Sequence, residues 1–321
     1  MSELGKMWSN TRMVVLTSVS AALYVALLIP FKFIQIIPSL AELRPAAAIP
    51  AACSLLFGPA GAFGAAFGNL IGDFFGTLGP GSIPGIIGNF LYGYLPYKIY
   101  RALAQENFNW KIDLRKWFAL QLAVALAVSS AFLIASSLWN RPLTKWQTPF
   151  PNSILLASAI RLAACSCAIV VGFRLWKMPL RRWSALQLAI ALGGCACGVV
   201  IGFGLDLMGI VPFKVLANWI CFNNLFFGLT LGPLVLLSVF PYIKDSGLFY
   251  RDLLQPKQDT SQRKILSILG IILVAAGVLL ALFFGNFPGR LETLLGLSGK
   301  ALSLAGAGPG VILIILGALI I

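Results

Sequence analysis

Apolar segments of about 18 to 25 residues recur from Thr11 to the end of the chain, separated by short polar or Gly-Pro stretches. Wound as helices at 1.5 Å per residue, runs of that length cross a hydrocarbon core roughly 30 Å thick. A membrane barrel would instead show alternating segments of about ten residues. Charged residues make up 11% and hydrophobic residues 59% of the 321, against roughly 25% charged in soluble domains. The sequence therefore predicts an all-α integral membrane protein, a polytopic helical bundle of about ten transmembrane helices. The first, Val14 to Pro30, has no small-residue cleavage site ahead of a soluble domain and reads as a retained helix rather than a signal peptide.

Four helices are expected from about Thr11 to Pro30, from Pro45 to Phe57, after the Gly58-Pro59 turn, and from Ser82 to Leu103 beyond Gly79-Pro80-Gly81. Further spans are expected at about 117–138, 152–176, 183–205, 215–240, 265–285 and 307–321. The chain divides into 11–104, the first four helices; 105–182, an inserted or duplicated hairpin; 183–245, two more core helices; 246–264, a cytoplasmic linker; and 265–321, a hydrophobic hairpin. The duplication rests on Trp117 to Ala127 and Trp183 to Gly193, identical at eight of eleven positions and each preceded by two basic residues; Pro149-Phe150 is echoed by Pro212-Phe213. Chance likeness between Ala/Leu-rich helices is the competing explanation.

The net charge of +14 would suit nucleic acid, but the basic residues fall between apolar segments and form no domain-sized patch. Their sorting across the membrane explains them. With the N-terminus inside, fifteen Lys and Arg collect on the cytoplasmic side and seven outside, so an N-in chain with an even number of spans at a cell membrane is expected.

Within Gly58 to Tyr97, Gly64, Gly68, Gly72 and Gly76 recur every four residues. That step lays a side-chain-free seam along one helix face, where another helix can pack closely. One residue along, Asn69 and Asp73 share an adjoining stripe, and the next helix adds Asn89. Tight packing accounts for the glycines. Amides and a carboxylate in hydrocarbon are expensive and face a partner or a cavity. In the N-in orientation Glu42, Arg44, Asn69, Asp73, Asn89 and Asn223, with Asn218 and Asn224, converge on the outer half of the bundle. The inner half offers few stations for an ion path, so a ligand pocket open to the outside fits better. Pairing of Glu42 and Arg44 with Asp73 at a solvated helix end is the structural alternative. Ser18, Ala22 and Ala26 form a second small-residue ridge, able to pack inside this protein or against another.

Catalysis is not expected. The chain has no histidine, no Gly-x-Ser-x-Gly and no phosphate loop, and so cannot hydrolyse ATP itself. No metal or cofactor is expected either: Cys165 with Cys167 and Cys195 with Cys197 are two apart, pointing to nearly opposite faces of a helix, and with Cys53 and Cys221 read as small core residues.

Four stretches carry a resemblance: Ala21 to Leu28, Glu42-Leu-Arg-Pro-Ala, Leu56 to Asp73, and Gly88-Asn-Phe-Leu-Tyr-Gly-Tyr-Leu-Pro-Tyr-Lys. Together they resemble the substrate-binding S component of energy-coupling factor transporters over residues 11–104. Val211-Pro-Phe and Asn223 to Pro233 resemble the end of that family's core more faintly. The resemblance implies a six-helix core with extra hairpins, and a subunit that binds a vitamin or related micronutrient from outside. It further implies coupling to a transmembrane T protein and two cytoplasmic ATPases, with an Ala-x-x-x-Ala ridge docking the coupling protein, here Ala22 and Ala26. Amides and aromatics such as Tyr92 and Trp219 would suit a planar polar heterocycle. The alternatives are a stand-alone secondary carrier of a small polar metabolite and a non-transporting receptor or assembly factor.

Overall fold

The computed structural model describes residues 3–32, 34–37, 41–104, 123, 180–255, 261–286, 296–297 and 299–321. Its helices, in order, are α1 (Glu3–Trp8), α2 (Thr11–Leu28), α3 (Ala48–Phe57), α4 (Pro59–Asp73), α5 (Ser82–Ala104), α6 (Leu180–Leu207), α7 (Phe213–Asp245), α8 (Tyr250–Leu254), α9 (Ser261–Asn286), α10 (Gly299–Gly306) and α11 (Gly308–Ile320). The protein is an all-α polytopic membrane protein. Among the described residues four helices, α2, α6, α7 and α9, are long and apolar enough to cross a membrane. A fifth crossing is added if α10 and α11, bent by 40°, count as one. The spans expected at 117–138 and 152–176, and with them most of the 105–182 hairpin, lie outside the described residues.

Local chemistry sets the helix ends. Asn10 caps α2, its side chain accepting from the backbone N–H groups of Arg12 and Met13. Gly58, at φ 57°, separates α3 from α4, and Pro59 opens α4 at a first-turn position where its missing N–H costs nothing. At 10 and 15 residues, α3 and α4 are individually too short to span the core. One expectation needs correction. The third helix stops at Asp73, which leaves Gly76, at φ 121°, in the following turn and outside the seam. The second helix opens at Pro45 as expected, but its first turn, Pro45–Ala47, is a 3-10 turn and the α-helix proper starts at Ala48; Glu42 lies in a ribbon before it, and Pro45 disfavours helical backbone at Arg44.

The glycine seam packs on α2. A methyl group at Gly68 would fall 2.9 Å from Tyr24 Cβ and 3.0 Å from the Ala21 carbonyl, and Gly64 and Gly72 meet Ser20 and Leu28 just as tightly. Only hydrogen side chains let the two backbones approach this closely. Next to this pair, α5 packs between α4 and α6, α6 packs along α7, and α3 lies against α7.

The C-terminal pair α9–α11 is closed by a second set of glycines, Gly270 and Gly277 against Gly317 and Gly310. Polar staples tie this pair to the core. Asn218 on α7 and Asn286 on α9 exchange amide hydrogen bonds at 2.8 and 3.1 Å, and Ser303 on α10 donates to Asp206 of α6. Asn218 therefore belongs to a helix-helix contact and not to the outer polar cluster. At the opposite end α1 is latched to α5 by Glu3, whose carboxylate pairs with Lys98 at 3.2 Å and with Arg101. Burial alone would raise the Glu3 pKa; the two cations outweigh it and hold the carboxyl below its ordinary value.

Candidate functional site

The segment entering α3 sets up the first part of the site. Residues Gln35–Ile37 (β1) and Ala41–Glu42 (β2) form an antiparallel two-stranded ribbon, with Gln35 opposite Glu42, and the Leu43 N–H donates to the Ile34 carbonyl. The ribbon delivers Glu42 to the interior, where it is 4% exposed. Arg44 donates to Glu42 Oε1 through Nη2 at 2.6 Å and Nε at 3.1 Å, and through Nη1 to Asn69 Oδ1 at 3.2 Å. The guanidinium thus joins the ribbon to α4, and a buried carboxylate gains the counter-charge it needs.

Asn69 and Asp73, four residues apart, share one face of α4. Asn69 Nδ2 donates to Asp73 Oδ2 at 3.4 Å; Asp73 Oδ1 accepts from Thr77 Oγ1, which in turn accepts from Lys32 Nζ at 2.9 Å. Desolvation pushes the Lys32 ammonium below its ordinary pKa, with Glu42 and Asp73 partly restoring it. On α5 Asn89 donates to the Gly85 carbonyl at 2.9 Å and accepts from the Tyr24 hydroxyl at 3.2 Å. Opposite, on α7, Asn223 accepts from the Arg44 backbone N–H and donates to the Glu42 carbonyl at 3.0 Å, while Asn224 donates to the Gly194 carbonyl of α6.

These groups line one cavity of about 120 Å³. All six residues selected from the sequence, Glu42, Arg44, Asn69, Asp73, Asn89 and Asn223, border it. So do Thr77 and Ser82, which no spacing or composition signal singles out, and an apolar wall that includes Ile201, Leu205, Leu216 and Trp219. The Trp219 indole N–H is buried without an acceptor among the described residues. Tyr92 does not border the cavity. It is 1% exposed, and its hydroxyl donates to the Asn224 carbonyl, so it supports α7 from behind. Arg44 pairs with Glu42 and not with Asp73, the partner the structural alternative required.

Chemically the cavity offers two carboxylates, four amides (Asn69, Asn89, Asn223 and Asn224), a guanidinium and a flat aromatic wall. A planar polar heterocycle with donor and acceptor edges can satisfy such a set, and an apolar guest cannot. Among the described residues no three His, Cys, Asp or Glu gather as metal ligands, and Cys53, Cys195, Cys197 and Cys221 are free thiols; Cys165 and Cys167 lie outside those residues.

The other small-residue ridge faces outward. Ser18, Ala22 and Ala26 are exposed on α2 and line a groove of about 650 Å³ with Trp8, Phe67 and Ile71. The opposite face of the same helix carries Ser20 and Tyr24 into the glycine seam, while Ala21, buried against Gly64 and Gly68, sits where the seam meets the edge of the groove.

A family model described as QueT transporter matches residues 14–178. No curated protein and no solved structure matches the chain.

Proposed function

The chain belongs to the QueT transporter family, an S component of energy-coupling factor transporters for a queuosine precursor, and we propose that it captures such a precursor from outside the cell membrane for ATP-driven uptake. The single observation that carries this reading is the buried polar cavity between the ribbon, α4, α5 and α7. A guanine-like ring has adjacent N–H donors on one edge that a carboxylate accepts, and acceptors on another that amide N–H groups satisfy. Glu42, Arg44, Asn69, Asp73 and Asn89 are the proposed contacts; Asn223 holds the Glu42–Arg44 segment in place. The apolar wall at Trp219 would cover one ring face.

Transport would then require partners, a transmembrane coupling protein docked on Ser18, Ala22 and Ala26 and two cytoplasmic ATPases. The chain contributes binding and no catalysis. Purified protein should bind a radiolabelled queuosine precursor with one site per chain and without ATP. Absence of saturable binding, with competition by unrelated bases equal to competition by the precursor, would refute the substrate assignment.

We place the N-terminus in the cytoplasm, because the segments 105–116 and 244–264 hold most of the excess basic charge. The cavity then opens outward. A single cysteine at position 113, in a background freed of native cysteines, should resist a membrane-impermeant maleimide in intact cells. Strong labelling there would invert the arrangement.

A further inference from the structure

The family match ends at residue 178, yet the cavity is closed by α6 and α7, which begin at Leu180 and Phe213. The internal repeat reconciles the two. Extended toward the N-terminus, residues 111–126 and 177–192 are identical at 11 of 16 positions without a gap. Composition bias makes Ala and Leu matches cheap, but Lys111 with Lys177, Arg115 with Arg181, Trp117 with Trp183 and Gln121 with Gln187 lie outside that bias. Further on, Pro149-Phe150 echoes the Pro212-Phe213 that opens α7, but lies 32 residues after its tryptophan against 29, so the first copy holds three extra residues before that point. The match takes in the first of the two similar stretches and stops where the second begins.

We propose that residues 111–176 duplicate the hairpin that begins at Lys177, and that the second copy alone completes the ligand cavity, through Asn223 and Asn224. The assignment rests on the reading of that cavity as the ligand site. Aligned on Pro149-Phe150, the first copy has Ile160 and Arg161 at the places of Asn223 and Asn224, and Leu156 at the place of Trp219. Asn223 makes two hydrogen bonds to the backbone of Glu42 and Arg44, one as acceptor and one as donor. An isoleucine can make neither. Asn224 reaches the Gly194 carbonyl of the adjoining helix, and both amides are 4% exposed. Arginine at that place would set an unpaired cation against a helix backbone. The first copy therefore keeps the residues that mark the hairpin and lacks those that serve the cavity.

Excising residues 111–176 joins Trp110 to Lys177 and keeps twelve residues between Ala104 and the tryptophan that opens the hairpin. The excised protein, purified in detergent, should bind a radiolabelled queuosine precursor within about threefold of the full chain. In the full chain, Asn223→Ile and Asn224→Arg should each weaken binding by roughly tenfold or more, while Ile160→Ala and Arg161→Ala leave it unchanged. Should the excised protein not fold, these four point variants decide alone. Loss of binding on Arg161→Ala, with Asn223→Ile and Asn224→Arg neutral, would hand the cavity to the first copy and overturn the proposal. Asp73→Ala distinguishes the site from the choice of copy: it weakens binding whichever hairpin closes the cavity, so a normal Asp73→Ala would refute the site itself.

Discussion

Ala22→Leu or Ala26→Leu is expected to abolish uptake while ligand binding stays within about twofold of wild type. Both alanines are exposed on α2, on the face that lines the groove with Ser18 and Trp8. Close approach of a partner helix depends on the absence of bulk, and a leucine there holds the two backbones apart. The same helix buries its other face: Ala21 is 5% and Tyr24 1% exposed, against Gly64 and Gly68. Bulk on the outer ridge therefore leaves the seam and the Tyr24 contact with Asn89 undisturbed. Ala21→Leu is the contrasting variant, expected to lower expression and binding together. Were Ala22→Leu to do the same, the ridge would be an internal seam. Equal uptake and equal binding in both ridge variants would remove it from coupling altogether. The assays are uptake in cells that supply the coupling proteins and equilibrium binding on purified protein.

Arg44→Ala should be the most damaging single change in the cavity. It leaves the Glu42 carboxylate, 4% exposed, without its counter-ion, and Asn69 Oδ1 without its donor. Breaking a fully buried pair costs about 3–5 kcal/mol. The Arg44 side chain is 24% exposed, and screening reduces that figure to about 2–3 kcal/mol, roughly 30- to 150-fold in affinity. Lysine should recover little, since a compact ammonium cannot bond Glu42 and Asn69 together as the guanidinium fork does. Asp73→Ala and Asn89→Ala remove one member each of a hydrogen-bonded set, about 1–3 kcal/mol, or roughly 5- to 150-fold. Full affinity in Arg44→Ala and Asp73→Ala at equal expression would move the site elsewhere.

The polar residues of this cavity are legible in the sequence because hydrocarbon makes each buried carboxylate and amide costly, so few occur and those few stand out. The four-residue glycine step is legible for the same kind of reason, as a period that only packing rewards. What the spacing does not carry is the partner. Nothing in Gly64 to Gly72 names α2 as the helix that fills the seam, and nothing around Asn218 reveals Asn286, 68 residues away. Tyr24 stays hidden because a tyrosine in an apolar helix carries no mark until its hydroxyl is seen on Asn89. The ribbon escapes a sequence reading because Pro45 signals a helix start, when its stronger effect falls on the residue before it. The side-chain amide of Asn223 reads as a ligand group; its bonds to the Glu42 and Arg44 backbone make it the fastening of the segment that carries the charges.

Dependence on partners is the claim on which the rest turns, and reconstitution tests it most directly. The chain should be placed alone in liposomes, under imposed proton and sodium gradients, and compared with liposomes that also hold the coupling protein and both ATPases. Binding without accumulation is the expected result in the first, and accumulation only with ATP in the second. Gradient-driven accumulation by the chain alone would contradict partner dependence and make this protein a self-sufficient carrier.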